Sequence, residues 1–273
     1  YLHNQMAAVV TASFVVAAVG AFWRLRSEHS EVASISLRTG VIAGLVAAQL
    51  VAFPTGHNQG RLVAEHQPAS LAAMEGRFES GGHAPLAMIG QPNVAERRLD
   101  NPIHLPSLLS WIAYGDFSAN VRGLSDFPER DWPDNVELLY YAFHIMVGLG
   151  TLFIAIMGLA FLMLWRGRLE RSRTMLWILA LSFPFPYIAN TAGWLTAELG
   201  RQPWLVYGLM RTAEGGSPTV HGGTTLFTTL GFAGLYLVLG LLFLSLVMRE
   251  VSHGPRSLHS APAGLAPAPG PEA

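Results

Sequence analysis

The sequence predicts an all-α integral membrane protein, five transmembrane helices in a bundle with a long outer-face loop that contains short helices. Three observations predict it. Hydrophobic residues make up 51% of the 273 and charged residues 13%, about half the ~25% charge of soluble domains. Five apolar stretches reach or approach the ~20 residues that a membrane-crossing helix needs. Arginines, finally, gather in the short connections between those stretches.

The first stretch is Gln5–Trp23 and the second Thr39–Phe53, which is short and needs Leu37 to Thr55 to reach span length. Val136–Trp165, Thr174–Ala197 and Gly222–Met248 complete the set. Arg24, Arg26 and Arg38 lie between the first two spans, Arg166, Arg168, Arg171 and Arg173 between the third and fourth, and Arg249 and Arg256 after the fifth. The positive-inside rule makes those ends cytoplasmic. Tyr1, the loop Pro54–Asn135 and the loop after Ala197 then face outward. Four regions follow: two helices over 1–53, an outer-face loop over 54–135, three helices over 136–251, and a tail over 252–273.

The long loop carries eleven acidic residues and six arginines out to Glu137, with helical stretches around Ala69–Phe78 and Pro106–Tyr114. A structureless loop of that length is unusual, so a folded functional flap is expected. The tail, rich in Pro, Ala and Gly, lacks the apolar periodicity to fold and is expected to be disordered.

A formal net charge of −1 argues against a nucleic-acid partner, since phosphates demand a basic face. Cysteine is absent, which excludes disulfides, zinc–thiolate sites and iron–sulfur clusters. A redox metal would have to be held by His, Met or carboxylate, and the chain has ten His and nine Met. All seventeen basic residues are Arg. The chain opens on Tyr1 without a leader pattern, and we read that start as a cut.

Intramembrane polar groups are functional candidates by default. His3 opens the first span in YLHNQMAAVVTASF, where a lone His is either a wetted end residue or a ligand. His144 and Met146 lie in YYAFHIMVGLG, about 200° apart on a helix, so only one can face a given cofactor. A single Met in such a span is most often filler. Glu198 ends the fourth span in WLTAELGRQPW, on one helical side with Trp194 and Arg201. It is either an ion pair closing the helix end or a group compensated by a metal. Pro184 and Pro186 interrupt that span and should kink it. In the loop, a Gly-punctuated turn at Gly56–Gly60, including Gln59, leads to a short helix bearing Glu75. It is either a solvated cap or a holder for a polar ring head at the membrane surface.

Jointly these residues resemble one family, the main haem-bearing subunit I of cytochrome bd-type quinol oxidases. GRQPW at Gly200–Trp204, preceded by Trp194 and Glu198, looks like that family's signature; IMVGLG at Ile145–Gly150 and the His3 helix start support it. GHNQGRLVAEHQPASLAAMEG at Gly56–Gly76 looks like the quinol loop of members with a short loop. The chain corresponds to the fifth through ninth of the family's nine spans. The resemblance implies that His3 and Met146 are the axial pair of a low-spin haem b. It implies that Glu198 is the axial ligand of one of two high-spin haems, a haem b or haem d, with Trp194 between haems and Arg201 neutralising propionates. Glu75 with Gly56, Gln59 and Gly60 would contact quinol, the electron donor for reducing O2 to water. A His/Met pair favours the reduced state, which suits an acceptor of quinol electrons.

The resemblance also implies a multi-pass protein of the prokaryotic cytoplasmic membrane, amid lipid and quinone. Its partners would be a second oxidase subunit, small accessory membrane subunits, and the missing first four spans as a separate chain or removed sequence. The family pattern has Asp where this chain has His57, Lys where it has Ser70, and often Arg or Gln at His144. Losing the Lys removes a donor toward the quinone ring. An electron-relay paralogue that keeps only the low-spin haem is therefore the alternative to a catalytic subunit, and a transporter bundle is a third reading that leaves the combined motif unexplained.

Overall fold

The computed structural model describes residues 1–28 and 30–254. Five helices among them are long and apolar enough to cross a membrane, as expected. Helix α1 (Leu2–Leu25) runs antiparallel to α2 (Ser30–Leu50), and the two approach closely through small residues. A Cβ added at Gly40 would sit 2.6 Å from the Ala17 amide nitrogen, and one at Gly20 would sit 2.8 Å from that of Leu37. Dispersion between close backbones is what holds helices together where lipid removes the hydrophobic drive.

The second crossing does not stop near Phe53 as the sequence suggests; it continues through a wide π-type turn, Val51–Gly56, into α3 (His57–His66). The Gly56–Gly60 segment is thus helical and not a turn. Pro54 explains the change of direction. Proline drives its predecessor out of the α region, and Phe53 is extended at φ −129°, ψ 124°. Pro54 also has no N–H for the Leu50 carbonyl, and the Thr55 hydroxyl donates to it instead at 2.7 Å, the local repair that apolar surroundings require.

The loop folds as a cap. It comprises α3, α4 (Pro68–Met74), an antiparallel hairpin of β1 (Leu86–Asn93) and β2 (Arg98–Leu105), and α5 (Leu108–Tyr114). The hairpin is an addition to the all-α expectation. Ala72, Ala73, Phe78, Leu124 and Trp132 pack there onto Val136 and Leu139 at the start of α6 (Val136–Trp165). Asn135 caps α6, its side chain accepting from the Leu138 amide at 3.0 Å.

The fourth crossing breaks where its prolines predict, into α7 (Arg173–Ser182) and α8 (Phe185–Arg201). Phe14, Leu37, Val41, Phe153, Met157 and Leu179 form the buried core of the bundle. At the end remote from the cap, Glu170 lies 3.2 Å from Arg24 and 3.9 Å from Arg38, tying two connections together. After α8 the chain forms a small pair, β3 (Trp204–Val206) with β4 (Met210–Arg211). Helix α9 (Gly222–His253) has no buried residue, although the Trp23 indole donates to the Val251 carbonyl at 3.1 Å. The tail expected to be disordered begins inside α9 at Ser252, and its stretch from Pro255 lies outside the described residues.

The α1–α2 seam yields a first test. Gly40→Val should lower the melting temperature of the detergent-solubilised protein by the equivalent of about 1–3 kcal/mol, because backbone blocks the new side chain. Gly44→Ala should cost less, since its Cβ would meet only the flexible end of Met157, at 2.9 Å. Equal losses in the two variants would show that α1 and α2 do not depend on close backbone approach.

Candidate functional site

The kink at Pro54 sets the first site residue. In the turn Val51–Gly56 the carbonyl of Val51 faces His3, whose Nδ1 lies 3.0 Å from it. Donation from Nδ1 fixes the tautomer and leaves Nε2 with a free lone pair, the arrangement of ligating imidazoles. Gly56 is needed for this closure: a Cβ there would lie 2.6 Å from the Val51 carbonyl and 3.4 Å from the His3 ring. The structure thus joins Gly56 to His3.

Met146 projects from α6 onto α8, where its sulfur would lie 2.8 Å from a Cβ added at Gly193. Helix α8 in turn is tied to α1 by the Asn190 amide, which donates to Thr11 Oγ1 at 2.8 Å. His3 and Met146 therefore stand on helices that flank α8. A nitrogen with a free lone pair and a thioether suit a low-spin haem iron. Among the described residues no three His, Asp or Glu side chains cluster as a metal-ion site.

Glu198 and Arg201 form the ion pair that sequence spacing allows, at 3.2 Å, with both side chains partly exposed. Trp194 is 63% exposed on the same helix. This face of α8 is open, whereas that of Gly200 is closed: Ser70 Oγ donates to the Gly200 carbonyl, and Ser70 is 2% exposed. That bond takes up one of the carbonyls left unpaired at a helix C-terminus. Ser70 is therefore a buried fastener between cap and bundle.

Glu75 is the most unusual group in the cap. It is 4% exposed and lies at the C-terminus of α4, while Gln59 is exposed on α3 and Gly60 has open space beside it. Gly76, at φ +59° with the Tyr140 ring and a Leu99 methyl close beside it, turns the chain so that Glu75 points inward. The carboxyl lies beside the Ala87 amide of β1, and its Oε2, like the buried Tyr140 hydroxyl, has no partner among the described residues. Burial pushes its pKa up to about 8, against the opposing pull of the Ala87 amide and Arg77. Orphaned buried oxygens of this kind suit a polar ring head that brings its own hydroxyls.

Sequence reasoning missed the partners of these groups. Tyr140 is not singled out by the sequence, and His144 stands there as the alternative to Met146 and as a departure from the family pattern. In the structure His144 Nε2 lies 2.9 Å from the Ala87 carbonyl and Nδ1 2.9 Å from that of Tyr140. Its position two residues before Met146, on the opposite side of α6, was the available signal.

The geometry defines a multi-pass membrane protein whose folded cap sits on helices bearing His, Met and Glu candidates. The sequence model of the cytochrome bd terminal oxidase subunit I family matches residues 1–255, and the chain belongs to that family. It is 35% identical to the cytochrome bd ubiquinol oxidase subunit 1 of Bacillus subtilis over 92% of this chain and 56% of that protein. A putative cytochrome bd menaquinol oxidase subunit I of the same organism is 32% identical over 87% of this chain and 55% of its own length. The bd oxidase structure from Geobacillus thermodenitrificans superposes with a TM-score of 0.81 at 28% identity, covering 93% of this chain and 57% of that one. The chain thus spans somewhat more than half the length of these relatives.

Two tests follow from Glu75 and Ser70. Below about pH 4.5 Glu75 is protonated folded or unfolded; between there and about 8 only the folded state keeps the proton. Its contribution to stability is therefore largest in acid and is lost as pH rises through about 8. Glu75→Gln should flatten that part of the melting-temperature profile, and an unchanged profile would mean the carboxyl is not buried. Ser70→Lys should lower the melting temperature by on the order of 5 °C, without improving quinol affinity. A gain in affinity at full stability would show that a Lys can be accommodated at position 70.

Proposed function

We propose that this chain is the haem-bearing, quinol-facing part of a cytochrome bd-type terminal oxidase that passes electrons from membrane quinol to O2. The observation that carries the reading is the family match over residues 1–255. His3 and Met146 would hold a low-spin haem b, and Glu198 would ligate one high-spin haem, b or d, beside Trp194 and Arg201. When bound, the haems supply the one-electron and O2 chemistry.

The chain's own residues orient and exclude. The Val51 carbonyl keeps Nδ1 of His3 protonated and Nε2 available. Gly193 leaves room for the Met146 sulfur. Glu75, buried and with one oxygen unpartnered, would bind a quinol hydroxyl and exchange a proton with it. The relatives' names specify both ubiquinol and menaquinol, so a membrane quinol is the substrate class.

The regions serve this reading as two helices over 1–53, the quinol-binding loop over 54–135, three helices over 136–251 and a tail from 252. The Arg-rich end, where Glu170 meets Arg24 and Arg38, would face the cytoplasm and the cap the outer side. The exposed face of Trp194 and the unburied helix α9 support contact with a second oxidase subunit, small accessory subunits and the spans that the longer relatives possess.

A reduced-minus-oxidised spectrum of the purified complex tests the reading. Low-spin b and d bands are expected; a b band alone would favour the relay paralogue, and no bands would sink both. Met146→Ala should convert the low-spin spectrum to high-spin. Glu198→Gln should lose or perturb a high-spin haem that Arg201→Gln largely retains; matching effects would reduce Glu198 to a salt-bridge partner.

A further inference from the structure

One residue of the cap hairpin is held from two sides. The Ala87 N–H lies beside the Glu75 carboxyl, and the Ala87 carbonyl faces Nε2 of His144 at 2.9 Å. The His144 ring stacks on Tyr140 with centroids 3.9 Å apart, and Tyr140 presses on Gly76 beside Glu75. The Nδ1 contact to Tyr140 lies within one helical turn and fixes only the ring. The Nε2 contact joins residues 57 apart in sequence and fixes the hairpin to the helix. Met146 follows two positions later, about 200° round the helix, and its sulfur faces Gly193 of α8. One stretch of α6 thus points His144 at the cap and Met146 into the bundle.

We propose that His144 is a positioning residue, a strut through which Ala87 sets Glu75 relative to the Met146 side of α6 and so aligns bound quinol with its electron acceptor. The inference rests on the proposed quinol oxidase reading. The strut does not touch quinol. Its effect is to hold the hairpin, and with it the Ala87 amide that orients the Glu75 carboxyl, at one distance from α6.

The test uses the complete oxidase complex carrying His144→Phe, which keeps the ring stack and loses the hydrogen bond to the Ala87 carbonyl, and His144→Gln, which keeps an N–H for Ala87. In His144→Phe the KM for quinol should rise about fivefold, the scale of one net hydrogen bond, with kcat changed less than twofold and the low-spin band intact. The amides of β1 should exchange hydrogen for deuterium faster in that variant, and His144→Gln should recover most of both effects. Unchanged KM and unchanged exchange in His144→Phe would overturn the strut. So would loss of the low-spin haem in both variants with hairpin exchange unaltered, since His144 would then serve the haem alone. Should His144→Phe not assemble, the wild-type complex decides: β1 near Ala87 must exchange with the first turns of α6 as one unit, and independent fast exchange overturns the proposal. A wild-type complex without a low-spin band would instead defeat the oxidase reading, while faster β1 exchange in His144→Phe would still uphold the strut.

Discussion

The cap's seat on the first turns of α6 is the contact that the rest of the molecule is arranged around. Some eighty residues separate α2 from α6 in sequence, and closing so long a loop is tolerable only if the loop buries surface of its own. It does so with Ala72, Ala73, Phe78, Leu124 and Trp132 against Val136 and Leu139. That seam is buried, so polar groups caught in it are costly unless they pair. Ser70 pairs with Gly200, and His144, in the tautomer that protonates Nε2, pairs with the Ala87 carbonyl, while the Ala87 amide lies beside Glu75. Each bond joins the cap to a crossing helix or fixes a group that does.

How legible each part was in the sequence follows the range of the forces involved. Apolar length alone marks a crossing helix, and α6 begins and ends at the expected Val136 and Trp165. The break near Pro184 is equally local, since the missing N–H acts within one turn. Pro54 misleads for the same reason: it bends the chain at Phe53, but Thr55 repairs the exposed carbonyl and the helix resumes to His66. The hairpin Leu86–Leu105 was illegible because Pro92, Pro102 and a polar β2 carry no clean alternation. Its β1 strand packs on α6, far away in sequence.

Site residues divide in the same way. His3, Glu75 and Glu198 could be singled out because charge or ligating capacity at a membrane boundary is costly wherever the chain goes. Their environments could not be, because they depend on distant partners. Nothing near His3 in sequence reveals that a kink at Pro54 delivers the Val51 carbonyl to its ring. Ser70 read as the loss of a charged donor, and only the approach of Gly200 shows a small hydroxyl filling a place where an ammonium group would be stranded.

Two carboxylates illustrate how environment divides labour on one scaffold. Glu198 keeps an Arg partner on a partly exposed face, and such a pair contributes little to stability. That face is free to serve whatever surface completes it. Glu75 is enclosed without a close cation among its hydrogen-bond partners, and burial raises its pKa to about 8, so near neutral pH it holds its proton. In the proposed reading a neutral Glu75 can donate to a quinol oxygen on binding. It can take up a quinol proton only as it hands on its own. A carboxylate ionised at rest would have to carry its charge in a buried seam, at a cost that its surroundings do not offset. The same burial that makes Glu75 an expensive residue for the cap therefore equips it to couple proton release to quinol oxidation.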